Sequence, residues 1–424
     1  MAALALPPLI SSDGHLEVRP ERWTPRMPAR YRERAPRTVK LPDGGDALVV
    51  EGQAPYPAPF LDLRAGRTNE TWHPFGATVD DTAGVGPPEQ RLQEQDMDGL
   101  LAEVLFPNMQ VGPRLWRGMA DDDLYRATVR AYNDWLGEEY CPVSRDRLIG
   151  LGVIPWTSLD DAIAELHHCA KLGLRGVNLG VFPSGRSYPT PEDDRFWAEA
   201  IAMRMPLTVH VGFDRLGPRA AQPTFEYPGA DPEVLKKVGP RRIVDWVALP
   251  FLGIAPALSM AQLTLSGVFD RLPDLAIFFA ETRLGWVPFW MEEADYWYER
   301  HRHWSERLLG FRPPSSGPAT TCAGTSSSAC STWSGWPSSC ATTWAPATSC
   351  SRPTSRTSSA TGPTRGRLPS GCSRGCRRNR RSGSRAATCW TSSTSGTRRS
   401  VGRRWPRRPD ATEDTRCSTE GSGA

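Results

Sequence analysis

Residues 147–179 read RLIGLGVIPWTSLDDAIAELHHCAKLGLRGVNL. Leu148 to Ile154 is an apolar run of strand length, stopped by Pro155. Ser158 suits a helix N-cap, with Asp161 three residues later as a weak capping box. Ile163, Leu166 and Ala170 recur at helical spacing, and Gly173 can end the helix. Arg175-Gly176-Val177-Asn178-Leu179 then reads as the next strand. A strand, a helix of about a dozen residues and another strand form the unit of a parallel α/β sheet.

The same unit recurs in both directions. Upstream, Leu100 to Phe106 is a buried strand stopped by Pro107, and Asp121 to Tyr140 is a helix capped by Asp121, with Leu124, Ala127, Ala131 and Trp135 on one face. Downstream come a helix over Asp193–Arg204, a strand Leu207 to Val211, helical residues 240–270, a strand Leu275 to Ala280 and a helix Trp286 to His303. Residues 8–12 form a short strand leading into a loop at Asp13-Gly14-His15-Leu16-Glu17. Residues 20–90, rich in Pro, Arg and Gly, read as a long irregular insertion. About six strand–helix units result, short of the eight that close a barrel.

Composition divides the 424 residues in two. The net charge of +4 conceals 17 Arg, no Lys and four acids in residues 313–424, which leaves the first 312 residues net acidic. Eight of the ten Cys also lie in the tail, and only Cys141 and Cys169 precede it. Two isolated cysteines fit a reducing cytoplasm. The first residues, broken by Pro7 and Pro8 and without a basic stretch, do not read as a signal peptide, and no apolar run is long enough to span a membrane.

Residues 313–424 contain one Val (Val401) and one Leu (Leu368), with no Ile, Phe, Tyr or Met. Such a segment cannot bury enough apolar surface to fold, so coil is expected. A basic disordered tail that binds nucleic acid is one reading of it. Yet disordered segments are usually poor in Cys and Trp, and this one has eight and five. A GC-rich gene read out of frame gives this composition. If each codon is the third base of one residue plus the first two of the next, residues 340–364 reread as RHHLGAGHVMFATDFPHVECDWPD, and the segment around Cys372 to Thr394 as an amphipathic helix. The first bases are a choice, but the other two are nearly fixed. A frameshifted tail needs no selection for nucleic-acid binding, so no nucleic-acid partner and no membrane partner is expected.

Asp13 and His15 stand two apart at a strand end, which turns both side chains the same way. A carboxylate and an imidazole so placed suit one divalent ion, Zn²⁺ or, second, Mn²⁺. Alone, the pair equally suits an Asp-Gly turn with an exposed histidine. His210 ends an apolar strand, where a barrel site would sit. Glu281 ends the sixth strand and could equally be a structural carboxylate paired with Arg283. Glu17 reads as a loop acid or a support for a ligand. His167 and His168 lie inside a helix, and the aromatic and basic stretch Tyr296 to Trp304 either packs its own helix against the barrel or lines a substrate mouth. Arg175, Arg204 and Arg215 could hold a carboxylate or be surface charges.

Asp13-x-His15, Arg91-Leu92-x-x-x-Asp96-x-Asp98-Gly99, Glu103-Val104-Leu105-Phe106-Pro107 and Tyr132-Asn133-x-Trp135-Leu136 occur in order. Asp146-Arg147-Leu148-Ile149-Gly150, Gly173-Leu174-Arg175-Gly176, Leu207-Thr208-Val209-His210 and Phe279-Ala280-Glu281-Thr282 follow. In order and spacing the chain resembles the amidohydrolase-related family, which includes aminocarboxymuconate-semialdehyde decarboxylase and related aromatic-acid decarboxylases. The resemblance covers about residues 8–310, then continues in the shifted frame. It implies a distorted (β/α)₈ TIM barrel, incomplete here, with its site at the strands' C-terminal ends. It implies Asp13, His15 and His210 as ligands of a divalent metal, probed first as Zn²⁺. A fourth ligand is implied in the reread Thr-Asp-Phe-Pro-His, whose Asp codon straddles Pro353 and Thr354. Where Glu281 stands, some members carry a catalytic His, so Glu281 is the catalytic candidate: acid/base, orienter of a ligand or substrate contact. The implied activity is metal-dependent hydrolysis of a small amide, ester or lactone, with non-oxidative decarboxylation of an aromatic or unsaturated acid as the alternative. A chain without its last strands could also be catalytically dead. The partner implied is a small-molecule substrate, with a homodimer as an open assembly.

Overall fold

The computed structural model describes residues 9–57, 85–108, 113–186, 188–213, 254–282, 285–309 and 312–321, with Gly76, Thr78, Val79 and Glu233. All belong to one compact unit, Met1–Arg365.

Its centre is a parallel sheet. β1 (Leu9–Leu16) pairs with β5 (Leu100–Pro107), and β5 with β6 (Leu148–Gly150). β7 (Gly152–Val153) pairs with β8 (Val177–Leu179), β8 with β9 (Leu207–His210), and β9 with β10 (Ile277–Ala280). β6 and β7 are one extended run about Leu151, whose N–H donates to the Leu105 carbonyl at 3.1 Å while the Gly152 N–H donates to Gly176 at 3.0 Å. The parallel strands therefore follow chain order and match the six units read from sequence. No pairing joins β10 to β1 among the described residues. The fold is α/β and TIM-barrel-like, and among the described residues the barrel is not closed.

Helices connect the strands. α1 (Pro88–Asp98) precedes β5, and α2 (Pro113–Trp116) and α3 (Asp122–Trp135) follow it. α4 (Leu159–Lys171) follows β7, and α5 (Asp194–Ala202) follows β8. α6 (Ile254–Leu265) and α7 (Val268–Arg271) follow β9, and α8 (Trp286–Leu309) follows β10. The caps form as their residues dictate. The Asp121 carboxylate accepts from the N–H groups of Asp123 and Leu124, and the Ser158 hydroxyl accepts from Asp161 N–H at 3.0 Å.

The core between sheet and helices holds Trp135, Tyr140, Leu166, Phe196, Trp197, Val209 and Ile277, all nearly inaccessible. Each such large side chain contributes about 1.5–3 kcal/mol by leaving water. Asn133 of α3 ties helix to sheet: it accepts from Val153 N–H at 2.8 Å and donates to Val153 O and Glu165 Oε1 at 2.9 and 2.8 Å. It supplies side-chain partners to both backbone groups of Val153, next to the point where the strand changes neighbours.

Three expectations change. Residues 20–90 are not wholly irregular: β2 (Arg37–Lys40), β3 (Asp46–Val49) and β4 (Tyr56–Pro57) form an antiparallel sheet, and α1 begins at Pro88. Its strands have two to four residues, too few to show a period among Pro and Arg. Pro42 and Asp43 make the turn, closed by Gly44 N–H donating to Leu41 O at 2.9 Å, with Gly44 at φ +85°. The loop expected at Asp13 to Leu16 is strand. Coil expected from residue 313 does not start there, because Ser315 N–H donates to Asp270 at 2.6 Å, Ala319 N–H to Asp295 at 2.8 Å and Tyr298 OH to the Pro314 carbonyl. The expectations for 240–253, 322–424 and Arg215 lie outside the described residues.

Candidate metal centre

β1 and β9 are four strands apart. At about 4.8 Å per strand a flat sheet would separate them by about 19 Å. Instead the Nε2 atoms of His15 and His210 lie 2.9 Å apart, so the sheet curls and brings its C-terminal strand ends together. Asp13 Oδ1 stands 3.7 Å from His15 Nε2 and 3.8 Å from His210 Nε2. One donor atom from each of the three falls within 4.8 Å of the others. Both histidines are buried, while Asp13 keeps partial access to solvent. The edge of the Phe106 ring packs on His210, with centroids 5.3 Å apart.

One carboxylate and two imidazoles converging from two strand ends match the donor chemistry of a single divalent ion. Burial holds the His210 pKa well below the usual histidine value, and the charges of His15 and Arg114 add to the effect. His210 is therefore a neutral imidazole at pH 7, with a lone pair to donate.

The backbone around His210 is strained. Val211 sits at φ +67°, a conformation rare for a β-branched residue. It is the centre of a tight turn in which Gly212 N–H donates to the His210 carbonyl at 2.8 Å. Val211 N–H donates to Ala280 O at 2.9 Å, and the next residue on that strand, Glu281, is also left-handed at φ +55°. Each such residue costs on the order of 1–3 kcal/mol, and such strain clusters at functional sites. The turn brings Glu281 Oε2 to 3.8 Å from His210 Nε2.

The structure thus brings together Asp13, His15, His210 and Glu281. Glu17 is buried rather than a solvated loop acid, and the Asn108 amide donates to its carboxylate. Arg175 and Arg204 belong elsewhere: they precede β8 and β9 at the end of the sheet opposite the site, Arg204 is exposed and Arg175 pairs with Asp146 at the surface. His167 and His168 pair with Glu199 and Asp134 between helices. Tyr298 packs inward while Tyr296 and Trp297 stay half-exposed. Sequence reading missed Asn108, Arg114 and Arg117. The Arg117 guanidinium lies against Gly180, which follows the strand paired with the His210 strand. The signal was an arginine pair, Arg114 and Arg117, just past a strand's C-terminal end.

A curled parallel sheet with ligand-type side chains at its C-terminal rim is the layout of a (β/α)-barrel protein whose rim residues could hold a divalent ion. A family profile described as Amidohydrolase matches residues 21–349, a span that holds His210 and Glu281 and begins after Asp13-Gly14-His15. The chain belongs to the amidohydrolase family. It is 25% identical over 201 residues to a 2-amino-3-carboxymuconate-6-semialdehyde decarboxylase of Dictyostelium discoideum, a match covering 46% of this chain and 47% of that protein. The chain thus spans about half the length of this curated relative. A crystal structure of an amidohydrolase from Mycobacterium avium subsp. paratuberculosis K-10 covers 76% of this chain and 83% of its own, with TM-score 0.52 and 16% identity, a likeness of fold alone. The 2,6-dihydroxybenzoate decarboxylase from Rhizobium matches over 57% of this chain and 68% of its own, with TM-score 0.38 and 19% identity, too low to carry an argument.

Among the described residues no helix is long and apolar enough to cross a membrane.

Proposed function

We propose that this protein catalyses non-oxidative decarboxylation of an aromatic or unsaturated carboxylic acid, with a divalent metal held by Asp13, His15 and His210. This replaces hydrolysis as the leading reading, because the curated relative is named a decarboxylase. The observation that carries the site is the convergence of three donors within 4.8 Å. A bound divalent cation would supply Lewis-acid polarisation of the substrate's oxygens. The chain's residues do the rest. In the reaction the bond between carbon and carboxyl breaks, carbon dioxide leaves, and the electron pair stays on carbon, which takes a proton. Glu281 Oε2, 3.8 Å from His210 Nε2, is the group we assign to hold and deliver that proton. Phe106, packed on His210, restricts water at the site.

The shifted frame is part of the proposal. In it the tail supplies a strand ending in Thr-Asp-Phe-Pro-His, whose Asp is a fourth ligand, and a closing amphipathic helix. The chain in its present frame would then bind metal weakly and be nearly inactive. Resequencing the gene across the codons for Phe311 to Ser316 tests the frame directly.

For the activity, the frame-restored chain loaded with Mn²⁺ or Zn²⁺ is offered hydroxybenzoates and unsaturated dicarboxylates, with carbon dioxide release as readout. Aryl esters and lactones form the parallel panel. Release of carbon dioxide that Glu281→Gln abolishes is the expected result. Turnover of esters or lactones without carbon dioxide release would return the protein to the hydrolases. The metal is settled by which ion restores the higher rate to the chelated protein.

A further inference from the structure

Arg91, Gln95 and Glu103 form a buried polar cluster behind the candidate metal centre, on the opposite face of the sheet. Arg91 and Gln95 stand four apart on α1 and both reach Glu103 on β5. The contact is a fork: Arg91 Nε to Glu103 Oε2 at 2.7 Å and Arg91 Nη2 to Oε1 at 3.0 Å, with the Gln95 amide donating to Oε2 at 2.7 Å. Arg91 and Glu103 are both more than nine-tenths buried. Burying such a pair costs desolvation that an apolar pair would not, so stability alone is a poor reason for it.

The cluster sits where the pairing of β1 changes register. Ser11 pairs with Glu103, but the next pairing is Gly14 with Leu105, followed by His15 with Phe106. Three steps along β1 thus match two along β5, and β1 carries one extra residue. Side chains alternate along a strand, so a slip of one residue reverses every face. His15 shares its level with Phe106, whose ring packs on His210 on the site face. Gly14, Leu105 and Glu103 then belong to the opposite face, toward α1. Without the extra residue, His15 would pair with Pro107 and turn away from His210.

Gly14 is the point of contact. A Cβ on it would lie 3.1 Å from Glu103 Oε1 and 3.2 Å from Arg91 Nη2 and Leu105 Cδ2. A side chain at this point would press on the ion pair, which would have to give by a few tenths of an ångström.

We infer that Arg91, Gln95 and Glu103 are positioning residues: their buried ion pair, seated against Gly14, fixes the β1 register that aims Asp13 and His15 at the metal. This rests on the metal reading above.

The test measures Mn²⁺ affinity of the full chain, in its present frame and frame-restored, by electron paramagnetic resonance, beside thermal unfolding of each variant. In the double variant Arg91→Met with Glu103→Leu, apolar packing replaces the ion pair and the fold is expected to hold. Mn²⁺ affinity is expected to fall about tenfold or more. Glu103→Gln, which keeps the shape, is expected to retain more affinity than the double variant. Unchanged affinity in a folded double variant overturns the inference. Should that variant fail to fold, Gly14→Ala decides: it leaves the ion pair in sequence but crowds it. Loss of affinity in Gly14→Ala supports the inference, and wild-type affinity, or failure to fold, overturns it. If neither the chain in its present frame nor the frame-restored chain has a saturable Mn²⁺ site, the metal reading itself is overturned. Failure of the inference alone shows only in the variants.

Discussion

The two halves of the parallel sheet place their candidate metal donors by different means. In β1, β5 and β6 the pairing slips twice, between Leu9 and Ile10 and between Ser11 and Gly14. A buried ion pair backs the second slip. In β8, β9 and β10 the register is regular from Val177 to Leu179 against Leu207 to Val209, and from Ile277 to Ala280 against Leu207 to His210. There the irregularity comes after the strands, as left-handed Val211 and Glu281. One half aims its donors by polar packing behind the sheet, the other by strain at its rim. A donor set drawn from both would depend on two independent local devices.

Single substitutions can separate the two. The largest effect on stability is expected in the first half. Arg91→Ala leaves Glu103 buried without its cation, and urea unfolding should show a loss of about 3–5 kcal/mol. A loss below about 1 kcal/mol would mean that water or Gln95 replaces the arginine, and that the first half is held by packing alone. In the second half, His210→Ala should leave the fold intact but lower metal affinity by more than about a hundredfold, beyond the tenfold to hundredfold typical of supporting residues. Calorimetric titration with Zn²⁺ and Mn²⁺ reads this directly, and near-normal binding would remove β9 from the site.

A pH series in chelator sharpens the contrast further. The folded-state pKa of His210 is depressed, so the unfolded chain binds the extra proton first. Stability from this group is full above the ordinary value of 6.5 and is lost as pH falls below it toward the folded pKa. The slope reaches at most about 1.4 kcal/mol per pH unit. It should vanish in His210→Gln and persist in Arg91→Met with Glu103→Leu. The smallest expected effect is that of Val211→Gly. Glycine accepts φ +67° without strain, so the variant should gain up to about 1 kcal/mol, offset in part by the entropy of a freer unfolded chain. A destabilised variant would show that the side chain's burial outweighs the strain.

Much of this was legible in the sequence where a pattern was local. The run from Leu148 to Leu179 announced strand, cap, helix and strand, because Pro155, Ser158 and Gly173 act within a few residues of themselves. Asp13, His15 and His210 were reachable only through resemblance, since nothing local says that β1 and β9 meet. The slip opposite Glu103 was not readable, because register depends on what packs behind a strand. The short strands at Arg37–Lys40 and Asp46–Val49 hid among arginines and prolines, and the fully buried Asp46 there shows its meaning only beside Arg19 and Lys40. Arg175 and Arg204 were considered as substrate clamps because charge is visible in sequence and the end of a strand it lies on is not.

Cys141 and Cys169 are both buried, and each presses its sulfur toward a glycine of the run where the sheet changes partners, Gly150 and Gly152. Burial pushes the Cys141 thiol up to about 11 and the Cys169 thiol well above its ordinary value, so neither offers a nucleophilic thiolate in the native protein. Alkylation of these two sulfurs therefore requires the seam to open. With the eight cysteines beyond residue 321 replaced by serine, their rate of labelling becomes a clock for breathing at the middle of the sheet, independent of any ligand or assay of turnover.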